Sequence, residues 1–357
     1  MNTLLKNSTI NIRPVQHSRL NEVDMSHLPF GKIFSDHMLI ARYEGGKWQT
    51  PEIMPYGPLA LSPSLSALNY GQAVFEGMKA IRGIDGEVKL FRPIDNLNRI
   101  NRSAHRMCMP AIPEGIFMGG LTELLRLDQN WVPDAEVGSL YIRPVYFAAD
   151  ESVGVKASES YILAIITSPV GPYYAEPVNL LVNRDFARAG VGGTGAAKAA
   201  GNYGGAMLPD KMAKAAGYHN ILWLDGREQR YIEECGTMNI FFVIDNKVIT
   251  PSLSGTILEG ITRLSLIQLL LDMGYTVEER QVSIYEVQAA YHEGRLQDAF
   301  GAGTAATVSH INRIAFAGED MQLPPVLERT VSNKLKDALQ RIKTGEAPDP
   351  YGWVVTI

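Results

Sequence analysis

The stretch SPVGPYYAEP, from Ser168 to Pro177, separates two parts of the sequence that each mix strand and helix patterns. It has three prolines and one glycine in ten residues, a composition that interrupts regular structure and is typical of a linker. The chain has 357 residues, and at ~150 residues per domain this length predicts about two domains. We predict a smaller N-terminal α/β domain over residues 1–168, an interdomain linker over 169–184, and a larger C-terminal domain over 185–357.

Two hairpins and two helices are predicted before this linker. The segment HMLIARYEGGKWQ turns at Gly45-Gly46, and FEGMKAIRGIDGEVKLFRP turns at Asp85-Gly86. Both dipeptides tolerate the positive φ that tight hairpin turns need. Apolar residues at helical spacing predict helices over residues 93–109 and 114–130.

The segments SLYIRPVYFA and YILAIITS are predicted strands of the N-terminal domain. In the first of them, Tyr141 and Arg143 are two residues apart, so their side chains point to the same face. Pro144 follows, and because proline has no N–H for the sheet, it predicts a position near an edge or an end.

After the linker the same mixture of strands and helices continues. A glycine-rich loop precedes a helix over residues 207–216, and NILWL and TMNIFFVI read as strands. A hairpin turns at Asp245-Asn246, and a strong helical pattern runs from Gly260 to Met273. The whole chain is therefore predicted to be α/β, of the α+β type.

Composition excludes several classes of function. The formal net charge is −5 and no basic block occurs, which argues against a nucleic-acid partner. No apolar run reaches the ~18 residues of a membrane-spanning helix. Cys108 and Cys235 form no disulfide framework, and no metal-binding spacing of histidine and cysteine occurs. We expect a cytoplasmic protein without a metal.

Four short segments together indicate pyridoxal phosphate chemistry. Lys198 is the one charged residue in GGTGAAKAAGNYGGAM, EECGTMN contains acids, and LEGITRL and GAGTAAT offer backbone amides to a phosphate. A lysine that forms an imine, an acid and a phosphate site are what such an enzyme needs. Each segment also has a simpler interpretation, since a lone lysine is usually solvated and the row Arg99, Arg102, Arg106 is typical of a wet helix face.

The sequence resembles the branched-chain amino acid aminotransferases of the fold type IV pyridoxal phosphate family. The matching segments follow the family's order from about Phe30 to beyond Ala306: FGKIFSDHMLIARY, YGQAVFEGMKAIRG, NRINRSAHRM, SLYIRPV, SPVGPY, GGTGAAKAAGNYGG, EECGTMN, LEGITR and FGAGTAA. The resemblance implies a two-domain fold with the active site in the interdomain cleft, a homodimer, and pyridoxal 5'-phosphate as cofactor. It implies reversible amino transfer between L-leucine, L-isoleucine or L-valine and 2-oxoglutarate, which gives branched 2-oxo acids and L-glutamate.

The resemblance also assigns catalytic and cofactor-binding residues. Lys198 matches the lysine that binds the cofactor, Tyr203 the tyrosine at its phenolic oxygen, and Glu234 the acid at its ring nitrogen. Arg99 matches the phosphate-binding arginine. The remaining residues matched to cofactor binding are Thr237, Gly260, Ile261, Thr262, Gly303 and Thr304.

The substrate-binding residues come from the same resemblance. Arg143 and Tyr141 are implied to hold the α-carboxylate, and Val155 matches a loop that the partner subunit contributes. The other implied substrate residues are Phe30, Tyr70, Phe75, Tyr173, Thr304 and Ala305.

Two alternatives remain open at this point. A D-amino acid aminotransferase or an aminodeoxychorismate lyase-like enzyme has the same fold, but D-specific relatives place a histidine two residues after an arginine, and YIRPV has none. A protein that binds the cofactor without catalysis is the second alternative, and the intact Lys198, Tyr203 and Glu234 argue against it.

Overall fold

The structure is a computed structural model that describes residues 9–172 and 176–357. The chain divides into two compact units. The first comprises Met1–Tyr173, Ala197–Gly201 and Ile342–Ile357, and the second comprises Tyr174–Ala196 and Asn202–Arg341.

These units differ from the predicted domains in three places. The predicted linker, residues 169–184, is divided between the units, and its residues Val178–Val182 form a strand of the second unit. The segment with Lys198 and the last sixteen residues, 342–357, were predicted to lie in the C-terminal domain, whereas they pack with the first unit. Backbone pairing explains both: Ala199 forms a bridge with Val74, and residues 354–356 pair with residues 89–91.

Strands and helices alternate along both units. The strands are β1 (Asn11–Ile12), β2 (His37–Glu44), β3 (Lys47–Trp48), β4 (Glu52–Pro55), β5 (Ala73–Phe75), β6 (Met78–Arg82), β7 (Val88–Phe91), β8 (Ser139–Ala148), β9 (Tyr161–Val170), β10 (Val178–Val182), β11 (Asn220–Leu224), β12 (Ile232–Cys235), β13 (Met238–Ile244), β14 (Lys247–Pro251), β15 (Val277–Arg280), β16 (Leu296–Gly303), β17 (Thr307–Phe316), β18 (Glu319–Gln322) and β19 (Val354–Thr356). The α-helices are α1 (Ser66–Tyr70), α2 (Pro93–Arg106), α3 (Glu114–Leu127), α4 (Ala200–Gly204), α5 (Met207–Ala215), α6 (Ile261–Asp272), α7 (Ile284–His292) and α8 (Thr330–Thr344). This mixture confirms the predicted fold class.

The predicted hairpins are confirmed, and two helices end earlier than predicted. Gly45 and Gly46 have φ of 58° and 76° between β2 and β3, and Gly86 has φ of 80° between β6 and β7. Helix α2 stops at Arg106, three residues before the predicted end, and Cys108 then has a φ of 57° that no α-helix allows. A short 3-10 turn follows the end of α3.

The first unit is built on a ten-stranded sheet in the order β1-β4-β2-β9-β8-β6-β7-β19, with β3 on β2 and β5 on β8. Its neighbours are antiparallel except for β1 and β4. Buried side chains of α2 and α3, such as Ile100, Phe117 and Leu121, pack against sheet residues such as Leu39 and Tyr146. This core fixes α2, which supplies part of the site.

The prediction that Pro144 marks an edge or an end was wrong. Strand β8 is central, since β9 pairs along its whole length on one side while β5 and β6 pair on the other. Pro144 is tolerated because it faces the break between β5 and β6, where Glu76 donates its N–H to the Pro144 carbonyl at 2.8 Å. The N–H that proline lacks is not needed at that break.

The second unit is built on a nine-stranded sheet in the order β12-β11-β10-β17-β16-β13-β14-β15, with β18 on β17. Strand β12 also pairs with β13, so β10, β11, β12, β13, β16 and β17 form a closed circuit. Closure removes the free edges of these strands, and apolar side chains such as Phe242 and Ile311 fill the core. Glu234, on β12 of this circuit, contacts the segment that leads into α6.

Candidate active site

Lys198 is held by its backbone against the first unit. Its N–H donates to the Ser103 hydroxyl at 2.9 Å, and its carbonyl accepts from the Phe75 N–H at 3.1 Å. The amine Nζ lies 4.8 Å from the centre of the Phe75 ring. The glycine and alanine neighbours predicted an uncrowded, flexible lysine, but the side chain is half-buried and its backbone is fixed.

Arg99 is not part of a solvated helix face. It is 4% exposed, and its Nε and Nη2 donate to the two carboxylate oxygens of Glu76 at 2.7 and 2.8 Å. Asn96, one turn earlier on α2, donates to the same carboxylate at 2.8 Å. Arg102 and Arg106 do lie on a solvated face of α2, since their side chains are exposed.

Glu76 was not predicted, although it lies in the quoted segment YGQAVFEGMKAIRG. It is fully buried, and burial alone would raise the pKa of its carboxyl group. The charge of Arg99 outweighs burial, and Lys198 and Asn96 add to the effect, so the pKa lies below its ordinary value. Glu76 is therefore a buried carboxylate that Arg99 binds directly and that the charge of Lys198 also stabilises.

Tyr141 and Arg143 lie on one face of β8, as predicted. Arg143 donates from Nη2 to the Tyr141 hydroxyl at 2.8 Å, and its guanidinium lies 4.6 Å from the centre of the Phe75 ring. Phe30 packs on Tyr141 with ring centres 4.9 Å apart. Among the described residues no acid pairs with Arg143, and its buried Nε has no hydrogen-bond partner.

Two other predicted substrate residues of the first unit, Tyr70 and Val155, are exposed. The Tyr70 hydroxyl donates to the Val153 carbonyl, and the Val155 side chain is 85% exposed. Tyr173 lies outside the described residues. We call Lys198, Phe75, Glu76, Arg99, Tyr141 and Arg143 the lysine set.

Glu234 is a buried acid of the second unit. It is 3% exposed, its Oε1 accepts from the Leu258 N–H at 2.8 Å, and Arg188 lies 3.1 Å from the same oxygen. Arg188 is fixed in turn by the carbonyls of Gly195 and Thr256, at 2.9 and 2.6 Å. Sequence reasoning missed Arg188 because nothing in its neighbourhood marks it as buried.

Glu233 points to a different environment. Its Oε1 accepts from the Thr256 hydroxyl, and its Oε2 has no hydrogen-bond partner among the described residues. Burial raises the pKa of Glu233, and the hydrogen bond from Thr256 and the charge of Arg188 only partly offset this. The side chain lines a cavity of about 570 Å³ within the second unit. The structure thus gives the two adjacent acids different electrostatics.

Asn239 connects Glu234 to the start of α6. It pairs with Glu234 across β12 and β13, and its Nδ2 donates to the Leu258 carbonyl at 2.9 Å. Gly260, the residue before α6, packs so closely that a Cβ there would lie 2.0 Å from Asn239 Oδ1. Ile261 and Thr262 follow in the first turn, where helix N–H groups have no partner within the helix.

Asn239 also pairs with Ala302 across β13 and β16. Gly303 comes next and pairs with Thr307, so Thr304 and Ala305 lie in the turn from β16 to β17. The second unit thus brings the acid, the start of α6 and this turn close to Asn239. We call Glu234, Asn239, the residues Gly260 to Thr262 and the residues Gly303 to Ala305 the backbone set.

Two further predicted cofactor residues belong to the second unit. Thr237 is exposed in the turn between β12 and β13, and Tyr203 is half-buried on α4. No group of three or more potential metal ligands occurs among residues 9–172 and 176–357. Across the same residues, none of the helices has the length and apolar character needed to cross a membrane.

Comparison with known proteins identifies related chains. The family model for amino-transferase class IV matches residues 73–314. Branched-chain-amino-acid transaminase 1 of Bacillus subtilis (strain 168) is 45% identical over 94% of this chain and 95% of its own. A probable branched-chain-amino-acid aminotransferase of Staphylococcus aureus (strain MRSA252) is 46% identical over 94% of each chain.

Solved structures agree with this relationship. A branched-chain aminotransferase from Thermoproteus uzoniensis, solved with norvaline, has a TM-score of 0.75 at 25% identity and covers 90% of this chain and 99% of its own. The T.th. branched-chain amino acid aminotransferase, solved with pyridoxamine 5'-phosphate, has a TM-score of 0.73 at 27% identity, with 89% and 97% covered.

Proposed function

The chain belongs to the amino-transferase class IV family, and from this premise we propose that it is a pyridoxal phosphate-dependent branched-chain amino acid aminotransferase. It transfers the amino group between L-leucine, L-isoleucine or L-valine and 2-oxoglutarate. One observation carries the substrate assignment: Arg143 is a cation without an acidic partner among the described residues, and it lies beside the rings of Phe75 and Tyr141. Such a site suits a ligand with a carboxylate and an apolar side chain.

The residues present fit pyridoxal phosphate. Glu234 is a buried acid held by Arg188 and a backbone N–H, which suits a partner for a protonated ring nitrogen. The start of α6 and the turn after Gly303 offer backbone N–H groups to a phosphate. When bound, this cofactor supplies an aldehyde for a lysine amine and a ring that accepts electrons from the substrate Cα.

The chain's own residues then have distinct tasks. The Lys198 amine binds the cofactor, and once released it takes the proton from the substrate Cα as general base. Glu234 keeps a proton at the ring nitrogen, which favours electron uptake. Tyr203 donates to the phenolic oxygen, Arg99 and the start of α6 hold the phosphate, and Arg143 with Tyr141 orients the carboxylate.

A homodimer is part of this proposal. Val153 and Val155 are 72% and 85% exposed, and large exposed apolar side chains on one loop favour contact with another chain. Tyr70 is 42% exposed and bonds to this loop through the Val153 carbonyl. The loop of one subunit thereby contributes Val155 to the substrate pocket of the other.

The experiment compares wild type with Lys198→Ala and with Lys211→Ala, which removes an exposed lysine on α5. Wild type and Lys211→Ala are expected to show the cofactor's visible absorbance and to convert all three L-amino acids with 2-oxoglutarate. Lys198→Ala is expected to lose turnover by roughly 10⁴-fold or more, since a general base is removed together with the covalent attachment. Turnover of D-leucine but not L-leucine, or a colourless wild type with added cofactor, contradicts the proposal.

A further inference from the structure

Glu76 sits at a structural break that brings three parts of the first unit together. Strand β5 ends at Phe75 and β6 begins at Met78, so Glu76 and Gly77 lie between two strands that pair with the same β8. The Glu76 N–H is fixed by the Pro144 carbonyl at 2.8 Å. A Cβ on Gly77 would lie 2.2 Å from the Tyr141 hydroxyl oxygen, so only glycine fits next to Glu76.

Three consecutive residues at this break contact the Lys198 segment and Arg99. Val74 pairs with Ala199, the residue after Lys198. Phe75 donates its N–H to the Lys198 carbonyl, and Glu76 binds Arg99 through both carboxylate oxygens. The position of the Lys198 segment and the position of the arginine are therefore set from one short stretch of chain.

Helix α2 completes the arrangement from the other side. Asn96, Arg99 and Ser103 recur at helical spacing and lie on one face of the helix. Asn96 and Arg99 bind Glu76, while the Ser103 hydroxyl accepts from the Lys198 N–H. Glu76 is thus the negative group of a buried cluster whose cations come from α2 and from the lysine loop.

We propose that Glu76 is a positioning residue for the reaction assigned above: it fixes the Arg99 guanidinium and maintains a negative charge beside the Lys198 amine. The assignment rests on the proposed function, because it concerns the lysine and the arginine that hold the cofactor. Nε and Nη2 of Arg99 donate to the two carboxylate oxygens of Glu76. This bidentate contact sets the plane of the guanidinium group.

The charge of Glu76 acts on the protonated form of the lysine nitrogen. Among the described residues, Arg99 from α2 and Lys198 are the cations whose charge acts on the carboxylate, and Asn96 and the Gly77 N–H are neutral donors to it. Arg143 from β8 shares the Phe75 ring with Lys198 and adds positive charge there. A carboxylate among these cations favours a proton on the lysine nitrogen, and removal of its charge has the opposite effect.

The test is the pH titration of the visible absorbance band of the holoenzyme, in which the cofactor is bound to Lys198. Glu76→Gln keeps the size and hydrogen-bonding capacity of the side chain but removes its charge. Its pH midpoint is expected to fall by roughly one unit, since an opposite charge beside the protonated nitrogen is lost. Glu76→Asp restores the charge on a shorter side chain, so its midpoint is expected to return towards wild type while its affinity for the cofactor stays weaker.

Asp128→Asn is the matched control, because Asp128 is another buried acid of the first unit, bound to His37 at 2.6 Å. This variant is expected to lose stability without a change in the midpoint. A second measurement needs no cofactor: in the cofactor-free full chain, labelling of the Lys198 amine by acetic anhydride is followed by mass spectrometry. Lys198 of Glu76→Gln is expected to react at lower pH than that of wild type.

The outcomes separate the two proposals. A wild type that binds no cofactor overturns the proposed function and the role of Glu76 in it. A wild type that binds the cofactor, with the same midpoint and the same labelling profile in Glu76→Gln, overturns the positioning role alone. Equal shifts in Glu76→Gln and Asp128→Asn also overturn it, since they would reflect loss of structure rather than loss of a nearby charge.

Discussion

The lysine set and the backbone set are built on opposite principles. The lysine set consists of charged and aromatic side chains, and buried ion pairs and ring contacts fix their positions, as for Arg99 on Glu76 and Arg143 on Phe75. The backbone set consists mainly of main-chain groups at the start of α6 and at the turn from β16 to β17. Its one ionised side chain held by a cation is Glu234.

This difference predicts different sensitivities. A buried ion pair loses much when one partner is neutralised, because the other charge is left without compensation. A substitution cannot remove a main-chain N–H or carbonyl group. It can displace such a group when an added side-chain atom collides with a neighbour and shifts the backbone. The lysine set is therefore expected to respond to changes of charge, and the backbone set to changes of volume.

Glu234 is an exception within the backbone set, because it is a charged side chain. We expect its substitution to have the largest effect on turnover. Glu234→Gln keeps the volume and the bond from the Leu258 N–H but removes the charge that we propose holds a proton on the cofactor ring. Turnover with L-leucine is expected to fall by about 10²- to 10³-fold, the usual effect of one electrostatic group in an active site.

The adjacent acid provides the control for this prediction. Glu233→Gln changes the same residue type one position earlier on the same strand, where the side chain contacts Thr256 and a cavity instead. Its turnover is expected to stay within a few-fold of wild type. Equal losses in both variants would mean that the strand, rather than the Glu234 charge, is being tested.

The sequence predicted the elements more completely than the contacts between them. Bounds of strands such as Ser139–Ala148 and the turns at Gly45 and Asp245 depend on local patterns, and the structure confirms them. Glu76 was not predicted, because its burial depends on α2, the lysine loop and β8, which are far apart in sequence. The prediction for Pro144 was wrong for the same reason. The break between β5 and β6 lies opposite Pro144, so the sheet does not need the N–H that proline lacks.

Each set contains one residue whose role was not predicted, Glu76 in the lysine set and Asn239 in the backbone set. Asn239 stands in the family motif EECGTMN, but the motif does not show that its amide donates to the Leu258 carbonyl or that it contacts Gly260. Gly260 lies at the start of a predicted helix, and only the structure shows that a side chain at this position would collide with Asn239. Such close approaches leave no mark in composition or periodicity.

Gly260→Ala tests whether the backbone set responds to a change of volume, and its expected effect on stability and cofactor affinity is intermediate. The added Cβ would lie 2.0 Å from Asn239 Oδ1, so Asn239 must move and weaken its bond to the Leu258 carbonyl. The free energy of unfolding is expected to fall by about 1–3 kcal/mol, as for other overpacked sites. Chemical denaturation measures this, and affinity for pyridoxal phosphate is expected to fall with it.

Gly119→Ala is the matched control, because Gly119 lies within α3 and an added Cβ there meets nothing within 4 Å. It is expected to be neutral or to stabilise by about 0.4–1 kcal/mol, since alanine reduces the freedom of the unfolded chain. If Gly260→Ala behaves like Gly119→Ala, the start of α6 does not depend on close packing against Asn239.

The smallest expected effect is the pH dependence that Glu233 contributes to stability. Burial raises the pKa of Glu233 in the folded protein above the ordinary value of 4.5. A carboxyl with a raised pKa favours folding below its unfolded pKa and loses that contribution as the pH rises through the folded pKa. Glu233→Gln cannot ionise, so its melting temperature relative to wild type is expected to increase with pH across this range.

Thermal unfolding of both proteins, well below and well above the ordinary glutamate pKa, measures this difference. Glu228→Gln serves as the control, because Glu228 lines the same cavity but is exposed. Its melting temperature relative to wild type is expected to stay constant with pH. If the difference in melting temperature between Glu233→Gln and wild type is also constant with pH, a cation compensates Glu233 in solution. The two adjacent acids would then have the same electrostatic environment. A difference in melting temperature that grows with pH only for Glu233→Gln means that Arg188 compensates Glu234 in preference to its neighbour. This keeps one ionised side chain in a set that consists mainly of main-chain groups.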